Sequence, residues 1–315
     1  MLRPEHVIAE LRARGELWET SPGVVGMKGP LASLYSSVST AIGEVSLELG
    51  HGPQATGHET ELRVEEWKMP SAISFETLER AQYFDSFPHW LTAASHLKDD
   101  EASLERVASA KRPGIEAAKS LEVASNALPP AVCYHTYAAL ANLTIDSPVV
   151  MTAEETCWRH EGIRLAALER GWAFRMREIV FLGQSAEAEA FRQKHIENVS
   201  AFAESIGLKT RVELATDPFF APTARGKALL QLVKALKHEL IIERPDGTAL
   251  AISSFNNHER FFGDAFGIRL SNGESATTAC IAFGIERWML AILMTHGVDS
   301  SNWPLLASNG KGVLR

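Results

Sequence analysis

The alternation of apolar and polar positions divides the chain into segments of two kinds. Residues 4–18 carry Val7, Ile8, Leu11 and Leu17 at near-helical spacing, which predicts an opening amphipathic helix. The glycine- and proline-broken stretch 21–30 reads as a turn, and 31–50 as a second helix. Residues 60–73 read as a strand ended by Pro70, 74–87 as a helix opened by Ser74, and 101–119 as helix broken at Pro113-Gly114. Strands are expected over 131–137, 155–162 and 174–183, then a long helix over 185–207 closed by Gly207. A strand over 210–216, a helix over 227–240, an extended run over 247–257, a strand over 276–284 and a helix over 285–297 follow. Strands bunched in the centre with helices outside them predict an α+β fold on an antiparallel sheet. No G-x-G-x-x-G follows a first strand and no G-x-x-x-x-G-K-[ST] occurs, so those two phosphate cradles are unsupported.

Two of the strands raise a question of charge. In "ETCWRHEG" (155–162), Cys157, Arg159 and Glu161 share one face of an extended strand. In "FRMREIVF" (174–181), Glu178 shares a face with Phe174, Met176 and Val180. A carboxylate among apolar side chains is costly to bury unless something pairs with it. Cys133, Glu178 and Cys280 all fall inside candidate strands. Two thiolates, one carboxylate and an open fourth position would describe a catalytic zinc site. Spacing alone leaves this open, because no C-x-x-C or H-x-x-x-H clamp is present and buried cysteines commonly act as small apolar residues.

Arg159 and Glu161 offer a fork for a phosphate and an acceptor for a purine amine, or else a cross-strand ion pair. Arg287 opens a helix, where a cation is not the preferred charge; an anion beside it makes the placement natural. Ser253 and Ser254 begin the polar run "SSFNNHE" (253–259), which suits a phosphate-contacting loop or a turn. Lys227, Lys234 and Lys237 lie off the leucine stripe of the 227–240 helix, on a solvated face.

Composition narrows the classes. With 315 residues, 45 % of them apolar, the chain can bury one large core or two modest ones. A net charge of −8 and a pI of about 5.8 argue against a nucleic acid backbone as the main partner. Three scattered cysteines make no disulfide framework. The amino terminus lacks an apolar signal region, and no segment approaches about 18 uninterrupted apolar residues. A cytoplasmic protein without a membrane span is the expectation.

Taken together, these stretches resemble a known family. "RVEEWKMPSAISFETLERAQYFDSFPHWL" resembles motif 1 of the class II aminoacyl-tRNA synthetases, with Pro70 as its proline. "TCWRHEG…FRMREIVF" is similar to motif 2, and "ACIAFGIERWMLAIL" to motif 3. "PPAVCYHTY", "DPFF" and "CIAFGIERW" resemble the truncated, seryl-like bacterial amino acid:[carrier protein] ligases, over about residues 20–300. The resemblance implies one class II catalytic domain over 1–315, with a peripheral helix over 1–20, no tRNA-binding arm, and a homodimer built at motif 1. It implies zinc on Cys133, Glu178 and Cys280, the open position taking the substrate's α-amino group beside Glu178. Arg159 would hold the ATP α-phosphate, Arg287 the γ-phosphate end, and Glu161, Ser253 and Ser254 would complete the site for ATP and magnesium. The implied reaction activates glycine or alanine as an adenylate and transfers it to the phosphopantetheine thiol of an acyl carrier protein, with no tRNA as partner. Carrier docking is assigned to Lys227, Lys234 and Lys237. One departure stands out: the seryl enzymes usually carry glutamate in an "E-I-S-S" run, and this chain has "AISS", with Ala251. A seryl-tRNA synthetase proper and a non-catalytic nucleotide-binding paralogue are the alternatives.

Overall fold

A computed structural model of the chain describes residues 1–49, 64–220 and 225–306. It opens with α1 (Pro4–Ala13), a hairpin of β1 (Leu17–Ser21) and β2 (Val24–Met27), and α2 (Gly29–Leu49). β3 (Val64–Glu66), β4 (Ile73–Ser74), α3 (Phe75–Arg80) and α4 (Tyr83–Ser86) follow. A small unit is built from β5 (Ala93–Leu97), α5 (Glu101–Ser109), α6 (Pro113–Lys119) and β6 (Leu121–Ala127). α7 (Cys133–Ala139) and β7 (Thr144–Ile145) lead to the long pair β8 (Val149–Trp158) and β9 (Ala173–Gly183). Then come α8 (Ser185–Ser205), β10 (Thr210–Leu214), α9 (Arg225–Val233), β11 (Lys237–Glu243) and β12 (Ala249–Asn257). α10 (Phe261–Phe266), β13 (Arg269–Leu270), β14 (Thr277–Gly284) and α11 (Ile285–His296) complete the order.

The central sheet has seven strands in the order β10-β11-β12-β14-β9-β8-β3. All its pairings are antiparallel except β3 on β8. Alternation along β9 and β14 assigns the two faces. Ile179, Phe181, Ile281 and Phe283 point into a core shared with Trp288 of α11 and Phe202 of α8. Val180, Leu182, Met176 and Cys280 point the other way, into a second core with Tyr137 of α7 and Phe262 and Phe266 of α10. Glu178 lies on this second face, opposite Ala282 on one side and Ala153 on the other.

Several local expectations hold. Ser74 caps α3 by accepting the Thr77 amide at 3.1 Å. The 101–119 helix breaks before Pro113, and Gly207 leaves α8 at a φ of +79°. Others need correction. Residues 131–137 are not a strand; Cys133 begins α7. A seven-residue apolar and aromatic run satisfies either period, and packing against α10 decides it. The 227–240 helix ends at Val233: Ala235 takes a left-handed φ of +51°, and the chain re-enters the sheet as β11 at Lys237. There it gains ladder partners on both sides, β10 and β12. The opening helix stops at Ala13, Gly15 turns the chain at φ +67°, and a hairpin takes up much of the expected turn. This region is not peripheral, because Val7 and Leu11 are fully buried and the Leu2 amide donates to Met294 O at 2.6 Å. Of the 60–73 strand, Val64–Glu66 forms β3 and Ile73 begins β4, with the residues between them outside any strand; residues 60–63 lie outside the described residues. Among the described residues no helix is long and apolar enough to cross a membrane.

Candidate active site and metal centre

Cys133 at the start of α7, Glu178 on β9 and Cys280 on β14 converge, with one ligand atom from each within 4.8 Å of the others and all three residues buried. The sheet supplies two of them on adjacent strands, and α7 lays the third across its face. Glu178 Oε1 accepts the Val132 amide at 3.0 Å, while Oε2 has no hydrogen-bond partner. Burial, reinforced by charge on Cys280, pushes the Glu178 carboxyl up to about 8. A shift of that size disfavours the ionised form by roughly 5 kcal/mol. The two thiols split: the contact with Cys280, then burial, drives the proton affinity of Cys133 up, while the contact with Cys133 holds that of Cys280 down. An orphaned carboxylate oxygen beside two buried sulfurs could hold a divalent cation with one position left open, and a cation would reverse the penalty on Glu178.

The metal set opens into a cavity of about 660 Å³ that Arg159 and Arg287 also line. Arg159 Nε donates to Pro130 O at 2.9 Å, and its guanidinium lies over the rings of Trp90 and Phe174, at 5.3 and 5.4 Å. Arg287, in the first turn of α11, donates to Glu169 O at 2.7 Å and to Ala251 O at 3.0 Å. Burial lowers its proton affinity, and Arg170 and Arg159 add repulsion. An anion in this cavity relieves that repulsion. The shared strand face expected for Cys157, Arg159 and Glu161 is not formed, because β8 ends at Trp158. Glu161 turns into an ion pair with Arg170 on the returning loop.

Ser253 and Ser254 part company. Both line the cavity, but the Ser253 hydroxyl turns to the helix-side core, where it accepts Trp288 Nε1–H at 3.1 Å. The run 253–257 is strand, not loop. Of the three lysines only Lys234 stays exposed as expected. Lys237 is buried on β11 and pairs with Asp217 at 2.6 Å and Glu239 at 3.1 Å. Lys227 donates to Ser86 Oγ at 3.0 Å, and Lys234 pairs with Glu259 at 2.8 Å.

Five cavity residues were missed in the sequence. Asp217 ties Lys237 to α9, since Gln231 Nε2 donates to its Oδ2 at 2.8 Å. Its only signal is the "DPFF" run. Phe174 and Trp90 hold Arg159. Asn256 Nδ2 and His258 Nε2 approach Cys280 Sγ at 3.5 and 3.8 Å. Strand parity signals Asn256, two positions from Ser254, but nothing local marks its target.

No family model matches the chain. In three dimensions it matches the seryl-tRNA synthetase of M. kandleri, solved with A. aeolicus tRNASec, at a TM-score of 0.80 and 23 % identity. That match covers 95 % of this chain and 59 % of the synthetase, so the chain spans under two thirds of its length. The fold is that of a class II aminoacyl-tRNA synthetase catalytic domain. In sequence the chain is 35 % identical over 247 residues to amino acid--[acyl-carrier-protein] ligase 1 of Bradyrhizobium diazoefficiens, covering 78 % of this chain and 75 % of that one. It is 33 % identical over 299 residues to ligase 2 of the same organism, covering 93 % and 84 %. The chain belongs to the amino acid--[acyl-carrier-protein] ligases.

Proposed function

We propose that the chain activates glycine or alanine with ATP and passes it, as a thioester, to the phosphopantetheine thiol of an acyl carrier protein. The observation that carries this reading is the opening of the Cys133–Glu178–Cys280 set and of both arginines into one cavity. The amino acid and the carrier come from the relatives' name, and the preference for glycine or alanine from the resemblance of the motifs. Zinc suits two thiolates and a carboxylate, and when bound it supplies a Lewis acid that holds the amino acid's α-amino nitrogen.

In the first half, a carboxylate oxygen attacks the α-phosphorus and the bond to pyrophosphate breaks. Arg159 and Arg287 face the charge that spreads over the phosphoryl oxygens, and the carbonyls and rings that hold them remove the need to reorganise. Ser254 and Glu239, paired in register on the cavity side, supply a hydroxyl and a carboxylate for the magnesium of ATP in place of the glutamate absent at Ala251. In the second half, the carrier thiolate attacks the adenylate carbonyl, the thioester forms, and AMP leaves. Docking falls to α9 and its end, where the cavity-lining Lys227 and Lys234 accompany the exposed Leu229, Leu232 and Val233. Lys237 drops out of that surface because it is buried. A homodimer paired along the β3 edge completes the reading.

ATP–pyrophosphate exchange with each of the twenty amino acids, on zinc-stripped and zinc-reloaded protein, tests it. Exchange with glycine or alanine that disappears on stripping and returns with zinc supports the reading. Exchange with serine alone replaces the substrate, and no exchange by zinc-loaded protein refutes activation altogether.

A further inference from the structure

The two sulfurs of the metal set have different surroundings. Cys280 Sγ is approached by two nitrogens, Asn256 Nδ2 at 3.5 Å and His258 Nε2 at 3.8 Å. Among the described residues no N–H group donates to Cys133 Sγ. The imidazole is also held from behind. Its Nδ1 lies 3.2 Å from Thr278 Oγ1 and 3.4 Å from Tyr137 Oη, and its backbone amide donates to Thr278 O at 2.9 Å. The Phe262 ring stands edge-on to it at 4.9 Å. A hydroxyl donating into Nδ1 leaves the ring proton on Nε2, aimed at the sulfur.

We infer that His258, with Asn256, is a positioning residue that aims the Cys280 sulfur at the metal and tempers its charge through N–H···S hydrogen bonds. The inference rests on the zinc reading of the three ligands. Strand parity makes the arrangement possible: Ser254, Asn256 and His258 follow one another on the cavity side of β12 and its end. β12 is bonded to β14 with Asn256 opposite Cys280. An N–H donor draws charge from a thiolate and fixes its rotamer, so the site pairs one strongly donating sulfur, Cys133, with one weaker sulfur, Cys280. That asymmetry sets how strongly the cation pulls on whatever occupies its fourth position.

The test uses the full chain and two bare ions: zinc in competition with a chromophoric chelator, and cobalt(II) as a spectroscopic probe of the sulfurs. His258→Ala is expected to weaken zinc binding by about 10- to 100-fold, the usual effect of losing a group that orients a metal ligand. The sulfur-to-cobalt charge-transfer band should move to lower energy, because the freed thiolate donates more. His258→Gln keeps an N–H donor and should restore most of the affinity and the original band. His258→Leu, which fills the space without a donor, replaces the alanine variant if that one fails to fold. Wild-type zinc affinity with an unmoved band in His258→Ala or His258→Leu overturns the inference. So does equal loss in the glutamine and leucine variants with the band unchanged, which marks a packing role alone. A wild-type chain that takes up neither ion refutes the zinc reading itself, a separate outcome.

Discussion

The Glu178 carboxylate on β9 accepts the Val132 amide at 3.0 Å, so the sheet grips α7 at the residue before Cys133. One oxygen thereby fixes the helix that brings the third ligand, and the other stays free for a cation. Glu178→Gln keeps an acceptor for Val132 while removing the charge. Its metal affinity should fall by more than about 100-fold, beyond what the loss of a supporting group costs. In metal-free protein the unfolding midpoint should hold or rise, since a group that resists ionisation in its buried place is gone. Metal content by elemental analysis and thermal unfolding check both halves.

Arg159 and Arg287 both line the cavity, one from the β8–β9 connection and the other from the first turn of α11. Replacing either with glutamine should lower kcat/KM for amino acid activation by about 10²- to 10³-fold, as for loss of a preorganised donor to developing charge. Zinc content should not change, because neither guanidinium touches the metal set. Steady-state exchange kinetics beside metal analysis separates the two.

Ser253 and Ser254 are adjacent and should respond oppositely. Ser253→Ala loses the Trp288 hydrogen bond, and should cost about 1 kcal/mol of stability with little change in the KM for ATP. Ser254→Ala should raise that KM and leave the denaturant midpoint in place. Matching behaviour of the two variants would contradict the assignment of faces.

Burial lifts the Glu286 carboxyl to about 7, above its ordinary value of 4.5. Between those pH values the folded chain holds a proton that the unfolded chain has lost, so this group's contribution falls as pH rises from 4.5 to about 7 and then levels. Glu286→Gln keeps an acceptor for the Arg175 amide, which the native carboxylate binds at 2.9 and 3.0 Å. The variant should therefore gain stability relative to the wild type across that window. Urea unfolding of both proteins at stepped pH reads the difference, and a constant difference would show that Glu286 does not titrate there.

The chemistry was legible in the sequence wherever a residue type conflicted with its local pattern. Glu178 inside an apolar strand and Arg287 at a helix start each signalled a missing partner. Positions whose partner comes from a distant segment carried no such mark. His258 reads as one more polar residue after a strand, and only the β12–β14 register places it near Cys280. Lys237 reads as helix surface because the leucine spacing runs through it, yet the β11 ladder and Asp217 hold it inside.

By itself the sequence determined the α+β class, the return strand β9, the caps at Ser74 and Gly207, and residue types suited to a metal and a triphosphate. These follow from periodicity and from the cost of burying charge, both of which act over a few residues. The tertiary structure decided that Cys133 starts a helix, that 227–240 splits into α9 and β11, that the Ser253 hydroxyl turns from the cavity to the helix-side core, and which nitrogens reach Cys280. Those outcomes depend on which segments become neighbours, since hydrogen-bond partners and burial across a sheet come from residues far apart in the chain.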